Sequence, residues 1–327
     1  SSAASDVYKR QMTDYAEPRR FELACHAYEQ GIELIRANLS EEELAKSLFE
    51  YGHFLQTNKR YDLAEVRYRE NLDICQRLAA ISPQVYEPDL AMVQNNLGTL
   101  YEDTRRYGES EEMFLSVMEI RRRLVAANPQ VYEPDLAGIQ NNLGILYKDT
   151  QRYEDSEKMY LSAMEIYRRL AAVNPQVYEP DLAMAQSNLG TLYKDTRRYE
   201  DSEKLCLSAM EIRRRLAAAN PQVYEPYLVR ACNNLSFLFL AQGNFEEAER
   251  YAREGAKYDS THHTIYTNLA ASLLLQGRYA EAEEIYLRYK EELKEDFLSD
   301  FEDFYQRGII PPEREDDVER IKKLLSK

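Results

Sequence analysis

The stretch that decides the fold is DLAMVQNNLGTLYEDTRRYGESEEMFLSVMEIRRRLVAANPQVYEP, which occupies residues 89–134. Closely similar stretches follow at 135–180 and 181–226, and these two share 37 of their 46 residues. The segment SPQVYEP at Ser82 returns as NPQVYEP at Asn128, Asn174 and Asn220, always 46 residues apart. Self-similarity at a fixed period is the signature of a repeat architecture. The sequence therefore predicts an array of stacked repeats and not one globular core.

Each repeat predicts two helices joined by a short turn. Apolar side chains recur three and four positions apart from Pro88 to about Asp103, and again from Tyr107 to about Ala127. This spacing places them on one face of each helix. Pro88 is expected in the first turn of the first helix, where a missing N–H costs nothing. Residues 104–106 form the turn, and Asn128-Pro129 ends the second helix.

The residues of these helices carry a specific resemblance. Leu97-Gly98-x-x-Tyr101, followed by Tyr107 and Phe114, resembles the tetratricopeptide signature, in which a small Gly98 lets the paired helix approach closely. The period of 46 residues is longer than the usual period of about 34 and resembles the extended repeats of kinesin-light-chain-like proteins. The resemblance implies an all-α fold, a right-handed α-α superhelix with a C-terminal capping helix.

The repeats divide the chain into four expected parts. We expect residues 1–11 to be a non-native leader like those of metagenomic gene fragments, and 12–40 to be a truncated repeat whose first helix is missing or cut at Met12. An array then fills 41–295, with repeats near 43–88, 89–134, 135–180, 181–226, 227–260 and 261–295. Residues 296–327 are expected to cap the array, because Val318, Ile321, Leu324 and Leu325 form one apolar stripe.

The composition argues against several classes of function. A net charge of −15 opposes binding to nucleic acid. Four widely spaced cysteines indicate neither a disulfide framework nor a zinc site. No nucleophile with a base, phosphate loop or metal motif appears, so we expect a non-catalytic protein without a cofactor. No apolar run is long enough to span a membrane, and no secretory signal peptide is present, so a cytoplasmic protein is expected.

The resemblance implies that the first helix of each pair lines a groove that binds a protein or an extended peptide. Polar residues that face away from the apolar stripe are the candidate groove residues: Asn95, Asn96, Asp103, Asn141, Asn142, Lys148, Asp149, Asn188, Lys194, Asp195, Arg230 and Asn234. Lys46 and Phe49 begin the same wall.

Two alternatives remain open at the level of the sequence. Asparagine amides both donate and accept hydrogen bonds, so the asparagines of the wall either hold a peptide backbone or brace neighbouring helices. The array as a whole is either a binding scaffold or a structural spacer and sensor module, linked to an effector that the given sequence does not contain. The sequence predicts neither the partner nor the oligomeric state.

Overall fold

The computed structural model describes residues 18–38, 40–259 and 263–326. Within them the chain forms α-helices and one 3-10 turn, and it divides into two compact units, Ser1–Thr150 and Gln151–Lys327. The predicted all-α repeat fold is confirmed, because consecutive helices pack against each other along each unit. The expected leader at 1–11 and the residue Met12 lie outside the described residues.

The first unit contains helices that alternate as first and second members of a pair. Its helices are α1 (Pro18–Asn38), α2 (Glu41–Thr57), α3 (Tyr61–Ile81), α4 (Pro83–Asp103), α5 (Tyr107–Ala127) and α6 (Pro129–Asp149).

The second unit continues the alternation and ends with helices outside the pattern. Its helices are α7 (Tyr153–Val173), α8 (Pro175–Asp195), α9 (Tyr199–Ala219), α10 (Pro221–Ala241), α11 (Phe245–Tyr258), α12 (Thr264–Leu275), α13 (Tyr279–Arg288), α14 (Lys290–Arg307) and α15 (Glu315–Ser326), and Pro312–Arg314 form the 3-10 turn.

The long first helices begin earlier than the sequence predicted. Ser82 is not helical, with φ −140° and ψ 81°, and α4 begins at the next residue, Pro83. The first helical turn forms there because the amides of Val85 and Tyr86 both donate to the Ser82 carbonyl, each at 3.1 Å. The prediction that α4 starts at Pro88 is wrong, since Pro88 lies inside the helix and costs it one backbone hydrogen bond. A repeat boundary at residue 88 therefore divides α4.

The turn between paired helices requires one residue in the left-handed region. Arg105 has φ 60° in the turn between α4 and α5, where its amide donates to the Glu102 carbonyl at 2.9 Å. The corresponding residue is Gly243 in the turn after α10 and Gly277 in the turn after α12. Glycine adopts positive φ without the steric cost that a Cβ imposes. The predicted turn at 104–106 is confirmed, although an arginine occupies its most strained position.

Paired helices approach closely where the sequence places a small residue. A Cβ on Gly98 would lie within the van der Waals radii of the Phe114 ring, and a Cβ on Gly190 would lie 2.7 Å from Cys206 Sγ. Phe114 is fully buried against α4. The expectation that Gly98 lets α4 and α5 pack closely is thus confirmed, because no other side chain leaves room for the ring.

The C-terminal helices cap the second unit. Val318, Ile321 and Leu325 of α15 are fully buried, and Leu324, the remaining residue of the predicted stripe, is half-buried. Phe297 of α14 meets the Tyr286 ring of α13 edge to face, with ring centroids 4.7 Å apart. These contacts cover apolar surface that the last helix pair would otherwise expose to water. The capping segment begins at Lys290, since residue 296, the predicted start of the cap, lies within α14.

Candidate protein-binding surface

We call the outward side of α2, α4 and α6 in the first unit, and of α8, α10 and α12 in the second, the first-helix face of that unit. All the predicted site residues lie on these helices, as follows: Asn95, Asn96 and Asp103 on α4, Asn141, Asn142, Lys148 and Asp149 on α6, Asn188, Lys194 and Asp195 on α8, and Arg230 and Asn234 on α10.

The asparagines of the first unit connect neighbouring first helices. Asn142 Nδ2 donates to Asn95 Oδ1 at 3.0 Å, which joins α6 to α4. Asn96 Nδ2 lies 3.4 Å from the hydroxyl of Tyr68 on α3. Asn95, Asn96 and Asn142 are half-buried, and Asn141 is only 2% exposed. Asn95 and Asn142 therefore brace the helices, and Asn141 does not face solvent as the prediction required.

The carboxyl ends of α4 and α6 bring ionisable groups together. Asp103 accepts a hydrogen bond from Gln56 Nε2 at 3.2 Å, and Lys148 Nζ lies 2.6 Å from Asp149 Oδ1. Glu102 lies among them, and burial, together with the charges of Asp149 and Asp103, raises its pKa to about 7. Asp103 and Asp149 are exposed. This end of the first-helix face thus exposes charged groups to solvent.

The first-helix face of the second unit is partly covered by the chain itself. The Phe237 ring of α10 lies 4.5 Å from Lys194 Nζ and 5.9 Å from the Arg307 guanidinium carbon. Phe304 of α14 contacts the same ring, with centroids 6.1 Å apart. Lys194 also lies 3.6 Å from Asp195. Two predicted site residues, Lys194 and Asp195, are therefore close to the C-terminal end of α14.

Other predicted residues of the second unit differ in exposure. Asn188 is half-buried, whereas Arg230 and Asn234 are exposed. The bracing seen in the first unit recurs at the equivalent repeat positions, because Asn268 Nδ2 donates to Asn233 Oδ1 at 2.9 Å. Asn233, and not the predicted binding residue Asn234, therefore makes the bracing contact.

A half-buried arginine, Arg213, adjoins Arg230. Burial, with the like charge of Arg230 nearby, lowers the pKa of Arg213 to about 10. Tyr227 stands where the preceding repeat has Asp181, so this position supplies no carboxylate to Arg213. The observed polar contact of Arg213 is a long one, 3.5 Å from Nη2 to the Ala183 carbonyl.

A cavity of about 490 Å³ opens between α2, α3 and α4 of the first unit. Lys46 and Phe49, which were predicted to begin the wall, line it. Asn71, Cys75 and Asp89 also line it and were missed by the sequence reasoning. Burial and the charge of Asp89 raise the pKa of Cys75 to about 11, which keeps the thiol protonated at neutral pH. Asn71 and Cys75 differ from the residues 46 positions later, Val117 and Arg121, and this difference is a signal that the sequence offered, whereas Asp89 is kept as Asp135 and gave no such signal.

Several functional classes find no support in the residues that the structure describes. No group of three or more metal-ligating side chains is present there. Within the same ranges, no helix is both long and apolar enough to cross a lipid bilayer. The cysteines are free, and Cys75, Cys206 and Cys232 are buried.

Comparison with solved structures supports the same fold. The crystal structure of BtubC (BKLC) from P. vanneervenii shares 24% identity and a TM-score of 0.59, over 76% of this chain and 92% of that one. The apo form of RapI shares 16% identity and a TM-score of 0.59, over 86% and 97%. PilW, a type IV pilus biogenesis factor, shares 14% identity and a TM-score of 0.55, over 76% and 94%. At these identities the likeness concerns the fold alone. No curated protein sequence matches significantly.

Family models match the repeats directly. Models described as tetratricopeptide repeat match residues 90–129, 136–174, 182–220 and 238–296, which together make up more than half of the chain. The first three matched segments are the extended repeats and the fourth is the pair of shorter repeats near the C-terminus. The chain belongs to the tetratricopeptide repeat family.

Proposed function

We propose that this protein is a non-catalytic scaffold that binds a peptide or an extended segment of another protein on the first-helix face of its first unit. Tetratricopeptide repeats are protein-interaction modules, which supports the general role. One observation favours the first unit: its first-helix face carries an open cavity of about 490 Å³ beside α2 and α4. Clefts of this size with an apolar lining and a few polar groups are the usual binding sites of proteins.

In the second unit, a helix of the chain itself lies against part of the first-helix face. The end of α14 lies against Phe237 through Phe304 and Arg307. One aromatic anchor with a cation beside it is the kind of contact that dominates protein interfaces. Because α14 already contacts this part of the face, a partner that binds the array is expected on the first unit. The net charge of −15 favours partners that are neutral or basic and disfavours nucleic acid. We propose a cytoplasmic location.

The test is affinity capture with two matched variants. The first variant, Asp103→Ser/Lys148→Ser/Asp149→Ser, alters exposed or half-exposed charges at the end of the first-helix face. The second, Glu112→Ser/Glu119→Ser/Arg122→Ser, removes the same formal charges from exposed positions on α5. We expect partners that are captured by the wild-type protein to be lost with the first variant. The second variant should capture the same partners as the wild type. Equal recovery from both variants would contradict the proposal and favour the spacer.

The spacer alternative has one specific observation in its favour. The hydrogen bond from Asn142 to Asn95 shows that part of the polar face holds helices together. If bracing were the whole role of Asn142, Asn142→Ala would lower the thermal midpoint of unfolding. The partners captured by the protein would stay the same. A loss of capture at unchanged stability would instead indicate recognition by the same residue.

A further inference from the structure

The cavity of the first unit lies where the next repeat holds an arginine of its own. Arg121 and Asp135 stand at the positions of Cys75 and Asp89, 46 residues later. Arg121 Nη1 lies 2.9 Å from Asp135 Oδ2, and only 12% of the Arg121 side chain is exposed. The Cys75 side chain is much shorter than that of arginine. The volume that a guanidinium would occupy therefore remains open as the cavity.

Asp89 keeps the carboxylate of this pair and lacks the cation. Within the described part of the chain, no ion pair includes Asp89, whereas Asp135 is paired with Arg121. The rim of the cavity also carries Glu42, which accepts a hydrogen bond from the Tyr86 hydroxyl, and Glu50. Lys46 provides one positive charge. Three carboxylates against one ammonium group leave the rim formally negative, which attracts a cation.

The floor of the cavity is polar where the next repeat is apolar. Asn71 is 2% exposed and stands at the position of Val117. Its Oδ1 accepts from the Cys75 thiol at 3.2 Å, a weak bond that leaves one lone pair of this oxygen unused. A buried amide without strong partners is costly, and a donor that enters the cavity would satisfy it. Phe49, Leu78 and Met92 provide apolar walls for an aliphatic stem.

We propose that the cavity lined by Asn71, Cys75 and Asp89 receives an arginine side chain of a partner protein, which takes the place of the arginine missing from this repeat. The guanidinium pairs with Asp89 as Arg121 pairs with Asp135, and one of its N–H groups donates to Asn71 Oδ1. This inference rests on the proposed function, since it names the chemistry that the first-helix face of the first unit recognises.

Arginine fits this cavity better than lysine for geometric reasons. The planar guanidinium offers five donors in a fixed fork, so it pairs with a carboxylate at the rim while it donates to an amide on the floor. It also stacks on an aromatic ring, and Phe49 lines the cavity. The ammonium of lysine is a more strongly hydrated point charge and loses more on leaving water.

The first experiment identifies and measures ligands of the full chain. A random peptide library is selected against the immobilised protein, and enriched peptides are synthesised with a fluorescent label for anisotropy titration. We expect one arginine to recur, and its replacement by citrulline, which is neutral and of nearly equal shape, to weaken binding about tenfold or more, as for a lost charge-assisted hydrogen bond. Replacement by lysine should weaken binding less.

The second experiment changes the cavity. Asp89→Asn should weaken the selected peptides about tenfold, whereas Asp73→Asn, an equal charge change on α3 outside the cavity, should leave their affinity unchanged. Cys75→Arg restores the pair of the next repeat inside the chain, and so should abolish peptide binding while the thermal midpoint stays at or above that of the wild type.

The outcomes separate this inference from the proposed function. The arginine pocket would be overturned if the enriched peptides bound equally well with citrulline in place of arginine. It would also be overturned if they bound a folded Cys75→Arg variant with wild-type affinity. If those peptides still failed to bind the Asp103→Ser/Lys148→Ser/Asp149→Ser variant, recognition by the first-helix face would stand without the pocket. No enrichment on the wild type would overturn both. Should Cys75→Arg not fold, Asp89→Asn with its Asp73→Asn control decides the question alone.

Discussion

At the scale of single residues, equivalent positions of the repeats carry side chains of different chemistry. The residue equivalent to Cys75 is Arg121 in the next repeat, then Tyr167 and Arg213. Arg121 has a carboxylate partner, Cys75 leaves a cavity, and Arg213 lies beside Arg230. Substitutions at equivalent positions thus give a closed ion pair, an open pocket or a half-buried cation on the same pairs of helices.

Glu102 gives the array a stability that depends on pH. Its pKa is raised to about 7 by burial and by Asp149 and Asp103. Because the folded state holds this proton more tightly than the unfolded chain, the stabilisation is complete below the unfolded value of about 4.3 and is lost as pH rises through 7. Glu102→Gln should therefore stabilise the protein at pH 8 by about 1 kcal/mol, a figure reduced for partial exposure.

The measurement is urea denaturation of the wild type and Glu102→Gln at pH 5 and at pH 8. The two proteins should differ little at pH 5 and clearly at pH 8. Glu119→Gln, an exposed glutamate on α5, is the control and should change neither value. If the free energy of unfolding of the wild type instead rose above that of Glu102→Gln as the pH increased, Glu102 would be ionised and paired in the folded state.

At the scale of elements, the paired helices are held by close packing of a small residue against a large one. Gly98 meets the Phe114 ring, and Gly52 meets the Tyr68 ring. In the α10–α11 pair, Ser236 stands at the position of Gly98. Its Oγ donates to the Ala248 carbonyl at 2.7 Å. The spacing of the helices is thus preserved while the side chains between them vary.

Gly98→Ala should destabilise the α4–α5 pair by about 1–3 kcal/mol, because the added methyl group overpacks a filled interface. Gly31→Ala is the matched control, since a Cβ at Gly31 would meet nothing within 4 Å. That change should stabilise α1 by up to about 1 kcal/mol through helix propensity alone. Thermal midpoints of the two variants measure both effects.

A second substitution tests the cause of the Gly98→Ala effect. Phe114→Leu, combined with Gly98→Ala, should recover part of the lost stability because the smaller side chain makes room for the methyl group. Additive losses in the double variant would show that the ring and the glycine do not share one space.

At the scale of the whole molecule, each compact unit is stabilised by contacts between successive helices. The second unit ends in α14 and α15, and Phe304 of α14 is fully buried against the face that includes Phe237. Repeats contact chiefly their neighbours, so a change at this end acts locally. The same contact covers one part of the first-helix face of the second unit, which is why the proposed binding surface is that of the first unit.

Phe304→Ala should destabilise the C-terminal end by about 3–5 kcal/mol, the usual loss for a buried phenylalanine. Hydrogen exchange followed by mass spectrometry should show faster exchange in α10, α12 and α14, and little change in α2–α4. Tyr305→Ala, at a more exposed neighbouring position, serves as the control. Faster exchange throughout the chain would mean that the array unfolds as one cooperative body.

The amino-acid sequence by itself determined the all-α repeat fold, its family and the buried stripe of Val318, Ile321 and Leu325, because periodic apolar spacing depends only on neighbours along a helix. It also predicted the turn at 104–106. It did not show that α4 begins at Pro83, since both Pro83 and Pro88 are compatible with a helix start. The bracing by Asn95 and Asn142 depends on side chains of different helices.

Only the tertiary structure showed the cavity and the contact of α14 with Phe237. The cavity requires Cys75 on α3 to face Asp89 on α4, and it exists because a short side chain stands where a long one closes the space in the next repeat. Such a vacancy has no signature in helical periodicity. It arises from the volume that side chains of separate helices leave between them, which only packing in three dimensions decides.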